Sequence, residues 1–199
     1  MQKAADKGND WAHEYLGAMY QEGKGVTKSD TKAFASYLKL ATNKEYDNIG
    51  KLRVGEMYYS GEGTTQDYTK AFEWFTKSAA NKNAVAQARL GEMYYQGKGI
   101  TKDYAKALEA YHIATHTVLE SARNSAIYGD EEDKKAYEKL SAIGHTNYEE
   151  SYAKLSKVGS ADYQKDSHLE LRAKAVKWFK DVCNAGNRDS CEISKFLGE

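Results

Sequence analysis

The 199 residues carry 29 basic and 29 acidic side chains, a balance that argues against a nucleic-acid footprint or a polybasic membrane anchor. Proline is absent, tyrosine occurs 16 times, and the longest apolar runs fall far short of the roughly 20 residues that a membrane helix requires. The amino terminus lacks the charged-then-apolar build of a signal peptide, so an exported form of this chain is expected to be mature or trimmed.

The chain opens with Ala4-Ala5-Asp6-Lys7-Gly8-Asn9, which matches Ala79-Ala80-Asn81-Lys82-Asn83 and therefore reads as the end of a second helix. Residues 1–11 are thus expected to close a truncated repeat. Either upstream repeats or a leader and cap were removed, or the helix remnant is itself the cap.

A glycine-centred pattern follows three times. It reads Leu16-Gly17-Ala18-Met19-Tyr20 with Gly23 and Gly25, Val54-Gly55-Glu56-Met57-Tyr58 with Gly61 and Gly63, and Leu90-Gly91-Glu92-Met93-Tyr94 with Gly97 and Gly99. The intervals from Gly17 to Gly55 and from Gly55 to Gly91 are 38 and 36 residues, the period of a stacked solenoid. Leu90, Met93 and Tyr94 stand at i, i+3 and i+4 and form the apolar stripe of a first helix. A glycine inside a helix costs about 1 kcal/mol against alanine, so Gly17, Gly55 and Gly91 predict a close helix approach, expected at the small Ala71 and Ala107. The Gly-x-Gly pair ends the first helix in the left-handed conformation. Ser29, Asp67 and Asp103 then suit the cap of a second helix, which carries Lys32-Ala33, Lys70-Ala71 and Lys106-Ala107.

These residues resemble the Sel-one-like repeat (SLR) family, a branch of the tetratricopeptide-like αα-solenoids. Leu-Gly-x-Met-Tyr, Gly-x-Gly, Lys-Ala and the closing Ala-Ala of Ser78-Ala79-Ala80 carry the match, over residues 12–114. The resemblance implies an all-α, right-handed αα-solenoid that holds other proteins, with no catalytic residue, no cofactor and no metal. About five helix-pair repeats are expected in a single domain. Residues 12–117 give three regular repeats, 118–186 two degenerate ones, and 187–199 a terminal capping helix.

In the fourth unit Ala122-Arg123 and Ile127-Tyr128 align with Ala88-Arg89 and Met93-Tyr94, and Ser125 replaces the glycine. Lys135-Ala136 follows, and Ala136, Leu140 and Ile143 make an apolar stripe. In the fifth, Val158-Gly159 and Lys174-Ala175 align with Leu90-Gly91 and Lys106-Ala107, while Lys165 and Ser167 replace Gly-x-Gly. Cys183 and Cys191 stand across the turn Asn184-Ala185-Gly186-Asn187, so a helix hairpin would bring them together. This resembles the cysteine-rich, exported branch of the family, in which such a pair is bridged, and it implies an oxidising compartment. The alternative is two free buried thiols in a cytosolic protein.

Catalytic patterns dissolve on inspection. Ser-x-x-Lys occurs at Ser29-Lys32, Ser36-Lys39 and Ser151-Lys154, but composition alone yields one or two such pairs, and the companion motifs Ser-Asp-Asn and Lys-Thr-Gly are missing. His112 and His116 share a helix face without a third ligand. The run 130–133, Asp-Glu-Glu-Asp, suits a helix start.

With Leu or Val, Met and Tyr assigned to the core, the first helices leave Tyr15, Ala18 and Gln21, then Arg53, Glu56 and Tyr59, then Arg89, Glu92 and Tyr95 on the other side. Arg and Tyr are enriched at binding hot spots, and in the family first helices line the concave face. These residues are the expected partner surface, with Tyr128 in the degenerate region as a further candidate. The competing reading is Arg–Glu pairing on a solvated surface, repeated by duplication. The expected function is a non-enzymatic protein-interaction module, a scaffold or adaptor of the bacterial envelope, periplasmic or secreted with a cytoplasmic location as the alternative. Its partner is another protein, and oligomeric state stays open. Alternatives are an immunity protein that neutralises a secreted toxic effector and, further off, an enzyme acting on cell-wall or β-lactam ligands.

Overall fold

The computed structural model describes residues 10–42, 47–129, 165–184 and 186–197, with the isolated positions 131, 134, 135 and 138. Among them lie eight helices and no strand: α1 (Asp10–Glu22), α2 (Asp30–Ala41), α3 (Asp47–Ser60), α4 (Tyr68–Ala79), α5 (Ala84–Gln96), α6 (Tyr104–Tyr128), α7 (Lys165–Asn184) and α8 (Arg188–Leu197). The chain forms two compact units, residues 1–81 with 98–101, and residues 82–97 with 102–199.

In the first unit, α1 packs on α2, α2 on α3 and α3 on α4. The turn chemistry repeats. Gly23 and Gly61 adopt φ of 71° and 80° and return their amides to Met19 O and Met57 O at 2.8 Å. The amides of Ser29 and Asp67 then reach back to Tyr20 O and Tyr58 O, and their side chains accept from the amides of Lys32 and Lys70. Each loop is thus pinned at both ends, which satisfies helix-terminal groups that would otherwise be orphaned. Between the hairpins, Ala33, Tyr37, Ala41, Val54 and Met57 form a buried cluster flanked by Tyr20, Phe34, Tyr58 and Trp74.

In the second unit the same devices recur at Gly97 and Asp103, and α5 is capped by Asn83, whose side chain accepts from Ala86 N at 2.9 Å. Helix α5 packs on α6. Helices α7 and α8 form a hairpin that lies against them, α7 on α6 and α8 on α5. The hairpin buries Ala175, Trp178, Phe179, Val182, Ile193 and Leu197 and is closed by a Cys183–Cys191 disulfide, with Cα atoms 4.5 Å apart.

Close helix approach at the core glycines is present, and the expected Ala107 takes part at Gly91, where its carbonyl oxygen would lie 3.1 Å from a Cβ, but the nearest obstruction in each repeat is an aromatic ring. A Cβ on Gly55 would stand 2.7 Å from the Phe75 ring, and one on Gly91 2.7 Å from the Tyr111 ring; at Gly17 the obstruction is Tyr37. Each ring lies one helical turn beyond the Lys-Ala alanine. The alanine lets the backbones close up, and the ring then fills the space over the glycine.

The degenerate region departs further. Helix α6 runs unbroken for 25 residues through positions 117 and 118, because nothing there reproduces the left-handed Lys82 (φ 58°) that follows α4. Its buried face ends at Val118. Ile127 and Tyr128, aligned in sequence with core residues, are 57% and 88% exposed. Lys165 and Ser167, aligned with the Gly-x-Gly turn, lie in α7. Residues 4–9, the acidic run 130–133 apart from Glu131, the stripe Ala136, Leu140 and Ile143, Ser151-Lys154 and Val158-Gly159 lie outside the described residues.

Candidate protein-interaction surface

The first-helix residues singled out in sequence behave differently in the two units. On α1, Tyr15 is 56% exposed, whereas Gln21 is drawn inward, accepting from Tyr37 Oη at 3.3 Å and donating to Glu62 at 3.5 Å. Tyr37 itself is buried, and that burial raises its hydroxyl pKa to about 12, with the carboxylates of Glu14, Glu22 and Glu56 adding to the rise against Arg53. On α3, Arg53 pairs with Glu56 at 2.9 Å along the helix, both side chains still reaching solvent. Tyr59 is half-buried. Its ring meets Tyr68 edge-on at 5.1 Å, and its hydroxyl accepts from Lys98 Nζ at 2.9 Å.

On α5 the corresponding residues are engaged by the C-terminal hairpin. Glu92, expected on the exposed side, is only 4% exposed. Its carboxylate accepts two-pronged bonds from Arg172 of α7 at 3.1 and 3.2 Å, a bond from Tyr111 Oη at 2.5 Å, and one from Gln96 Nε2. Arg172 also donates to Leu197 O, the last carbonyl of α8, at 3.0 Å, and its guanidinium stands 5.0 Å from the centre of the Tyr95 ring. Arg89 lays its guanidinium 3.8 Å from the centre of the Phe196 ring. Burial works to lower the pKa of Arg172, but its hydrogen bond and charge pairing with Glu92 outweigh it and leave the pKa raised. Burial, reinforced by Glu92, holds the Tyr111 hydroxyl well above its ordinary value.

Sequence comparison within the repeats does not reveal Arg172, because α7 lies outside the three regular blocks. A signal existed nonetheless. Arg172 is in phase with the buried Ala175, Phe179 and Val182, at i+3, i+7 and i+10, so a cation lies on the apolar stripe of α7 and calls for a buried acid.

Other candidate residues have structural partners. Ser29 Oγ caps α2, and Ser36 Oγ donates to Lys32 O at 2.9 Å. His116 stands 3.9 Å from Glu120. Among the described residues, no three His, Cys, Asp or Glu side chains converge as a metal site would require, and no helix is long and apolar enough to cross a membrane.

The helix pairs, their Gly-x-Gly turns and the rings over the core glycines recur as one unit, and three consecutive segments, residues 12–44, 50–83 and 84–114, match the Sel1 repeat family model. The chain belongs to the Sel1-repeat family. Among solved structures, a Sel1 repeat protein from Oxalobacter formigenes is 29% identical over 69% of this chain and 93% of that one, with a TM-score of 0.50. A protective antigen of uropathogenic Escherichia coli, c5321, displays an SLR fold and is 20% identical, with a TM-score of 0.53 over 94% of this chain. This chain spans 48% of the antigen's length, and at that identity the likeness speaks for the fold alone. No curated protein matches this chain significantly. Sel1-repeat proteins generally mediate protein–protein interaction, typically as non-catalytic scaffolds.

Proposed function

We propose that this Sel1-repeat chain is a non-catalytic adaptor of an oxidising compartment, the bacterial envelope, and that its first-helix faces take helical segments of a partner protein. The observation that carries this reading is the docking of the α7–α8 hairpin on α5. Arg89, Glu92 and Tyr95 engage it through an arginine over a ring, a two-pronged ion pair and a ring beneath a guanidinium, contacts of the kind that anchor protein interfaces. In the third repeat this face already holds two helices of the same chain. Tyr15 on α1 is exposed, and Arg53, Glu56 and Tyr59 on α3 carry the same chemistry, with Glu56 less buried than Glu92. The Cys183–Cys191 bridge supports the oxidising compartment.

A photo-crosslinking residue placed at Tyr15, with a control at the exposed Thr76 of α4, tests the reading in cells. One protein captured from Tyr15 and not from Thr76 is the expected result; equal capture at both positions contradicts it. A captured protein whose toxicity is suppressed one-to-one by this chain would convert the adaptor into an immunity protein.

A further inference from the structure

The first repeat holds an open cleft at a position whose sequence counterpart in the second repeat is a tryptophan. Between α1 and α2 lies an open cavity of about 350 Å³ lined by His13, Leu16, Tyr20, Lys32, Ala35, Ser36 and Lys39. Ser36 stands three residues after Ala33, as Trp74 stands three after Ala71. In the second repeat Trp74 packs beside the buried cluster, and Lys77 lies 4.4 Å from the centre of its ring. Lys39 is the counterpart of Lys77, but no ring lies beneath it among the described residues. The cleft therefore has the cation, a floor formed by the half-buried Tyr20 over the buried Leu16, and space at the position of the missing indole. Its lining carries two lysines and a histidine and no carboxylate.

We infer that this cleft is a docking site for a tryptophan flanked by acidic residues on a partner protein. The indole rests on Leu16 and Tyr20 with Lys39 over its face, a cation–π arrangement for which tryptophan is the best ring. Ser36 Oγ spends its proton on Lys32 O and keeps a lone pair for the indole N–H. Carboxylates on either side of the tryptophan meet Lys32 and Lys39, which are exposed. The volume, at the lower end of the range for ligand sites, suits one large side chain. The inference rests on the reading of the chain as a protein-binding module but not on the first-helix surface.

The test uses a fluorescein-labelled peptide, Glu-Asp-Trp-Asp-Glu blocked at its carboxyl terminus, titrated with the full chain and followed by anisotropy. Saturable binding is expected, weakened at least tenfold when alanine replaces the peptide tryptophan or lysines replace its carboxylates. Ser36→Trp refills the cleft and should abolish binding at an unchanged melting temperature; if that variant folds poorly, Ser36→Leu serves the same purpose. Lys32→Ala with Lys39→Ala should also weaken binding tenfold or more. Absence of saturable binding, equal binding of the lysine peptide, or full binding by a folded Ser36→Trp chain overturns the inference. Tyr15→Ala and Arg53→Ala should leave the peptide affinity unchanged, so failure of the first-helix reading is recorded separately.

Discussion

Arg172 and Glu92, 80 residues apart, meet through a two-pronged ion pair at 3.1 and 3.2 Å on a carboxylate that is almost fully buried. The pair fastens the C-terminal hairpin to the third repeat and ties Tyr111, Tyr95 and the end of α8 into one polar centre. Removing one member of a buried pair leaves the other charge desolvated, at a cost of about 3–5 kcal/mol. Arg172→Ala should therefore destabilise the chain by about 3 kcal/mol, the lower end of that range because the guanidinium retains some solvent contact. Urea unfolding measures this. Arg53→Ala, which breaks the solvated pair with Glu56 within α3, should cost less than about 1 kcal/mol. Equal losses would refute the assigned burial.

The disulfide closes the loop between α7 and α8. The oxidised chain should be lighter than the reduced one by two hydrogens, and alkylation should require a reductant. Cys183→Ser with Cys191→Ser should lower stability by about 2–3 kcal/mol on the chain-entropy estimate for a short loop. Ready alkylation of both thiols in the native chain would remove the argument for an oxidising compartment.

Gly91 has no room for a side chain, since a Cβ would meet the Tyr111 ring at 2.7 Å and Ala107 O at 3.1 Å. Gly91→Ala should cost about 1–3 kcal/mol by overpacking, despite the better helix propensity of alanine, and Gly91→Leu more. A melting temperature unchanged by Gly91→Leu would contradict the helix pairing.

The extent to which the sequence foretells this arrangement follows from where its signals lie. Caps and turns are local. Ser29, Asp67, Asp103 and the Gly-x-Gly pairs act within a few residues, and each adopts the expected role. The glycine contacts are half legible, because a missing side chain announces a close approach but does not say which residue fills it; the rings of Tyr37, Phe75 and Tyr111 do so, with Ala107 O beside Tyr111 at Gly91. Ile127 and Tyr128 mislead because a weak alignment carries a repeat register into a helix that simply continues. The cover over Glu92 is non-local, supplied by a helix outside the repeated blocks.

Alkaline titration offers an independent check on burial. Tyr37 is raised to about 12 and Tyr111 well above its ordinary value, both chiefly by desolvation. A group whose folded-state pKa is raised gives its full stabilisation below the unfolded value near 10 and loses it as pH rises toward the folded value. The contribution of these two hydroxyls should thus be constant below about pH 10 and decline above it, that of Tyr37 being lost by about pH 12. Tyrosinate absorbance should show Tyr37 and Tyr111 ionising late or only on unfolding. Tyr37→Phe should lessen the alkaline loss, whereas ionisation of every tyrosine near pH 10 in the folded chain would contradict the burial of Tyr37 and Tyr111.

If solvent-reaching first-helix faces bind a protein partner, the affinity of the cross-linked partner for a Tyr15→Ala, Arg53→Ala chain should reveal it. Truncation at exposed sites usually changes stability by no more than about 0.5 kcal/mol, while loss of an interface hot spot costs about 2 kcal/mol or more. Partner binding should weaken by about thirtyfold with melting nearly unchanged. Unchanged affinity in this chain, together with loss of binding in Tyr128→Ala, would place the partner on the end of α6 and contradict binding at the first-helix faces.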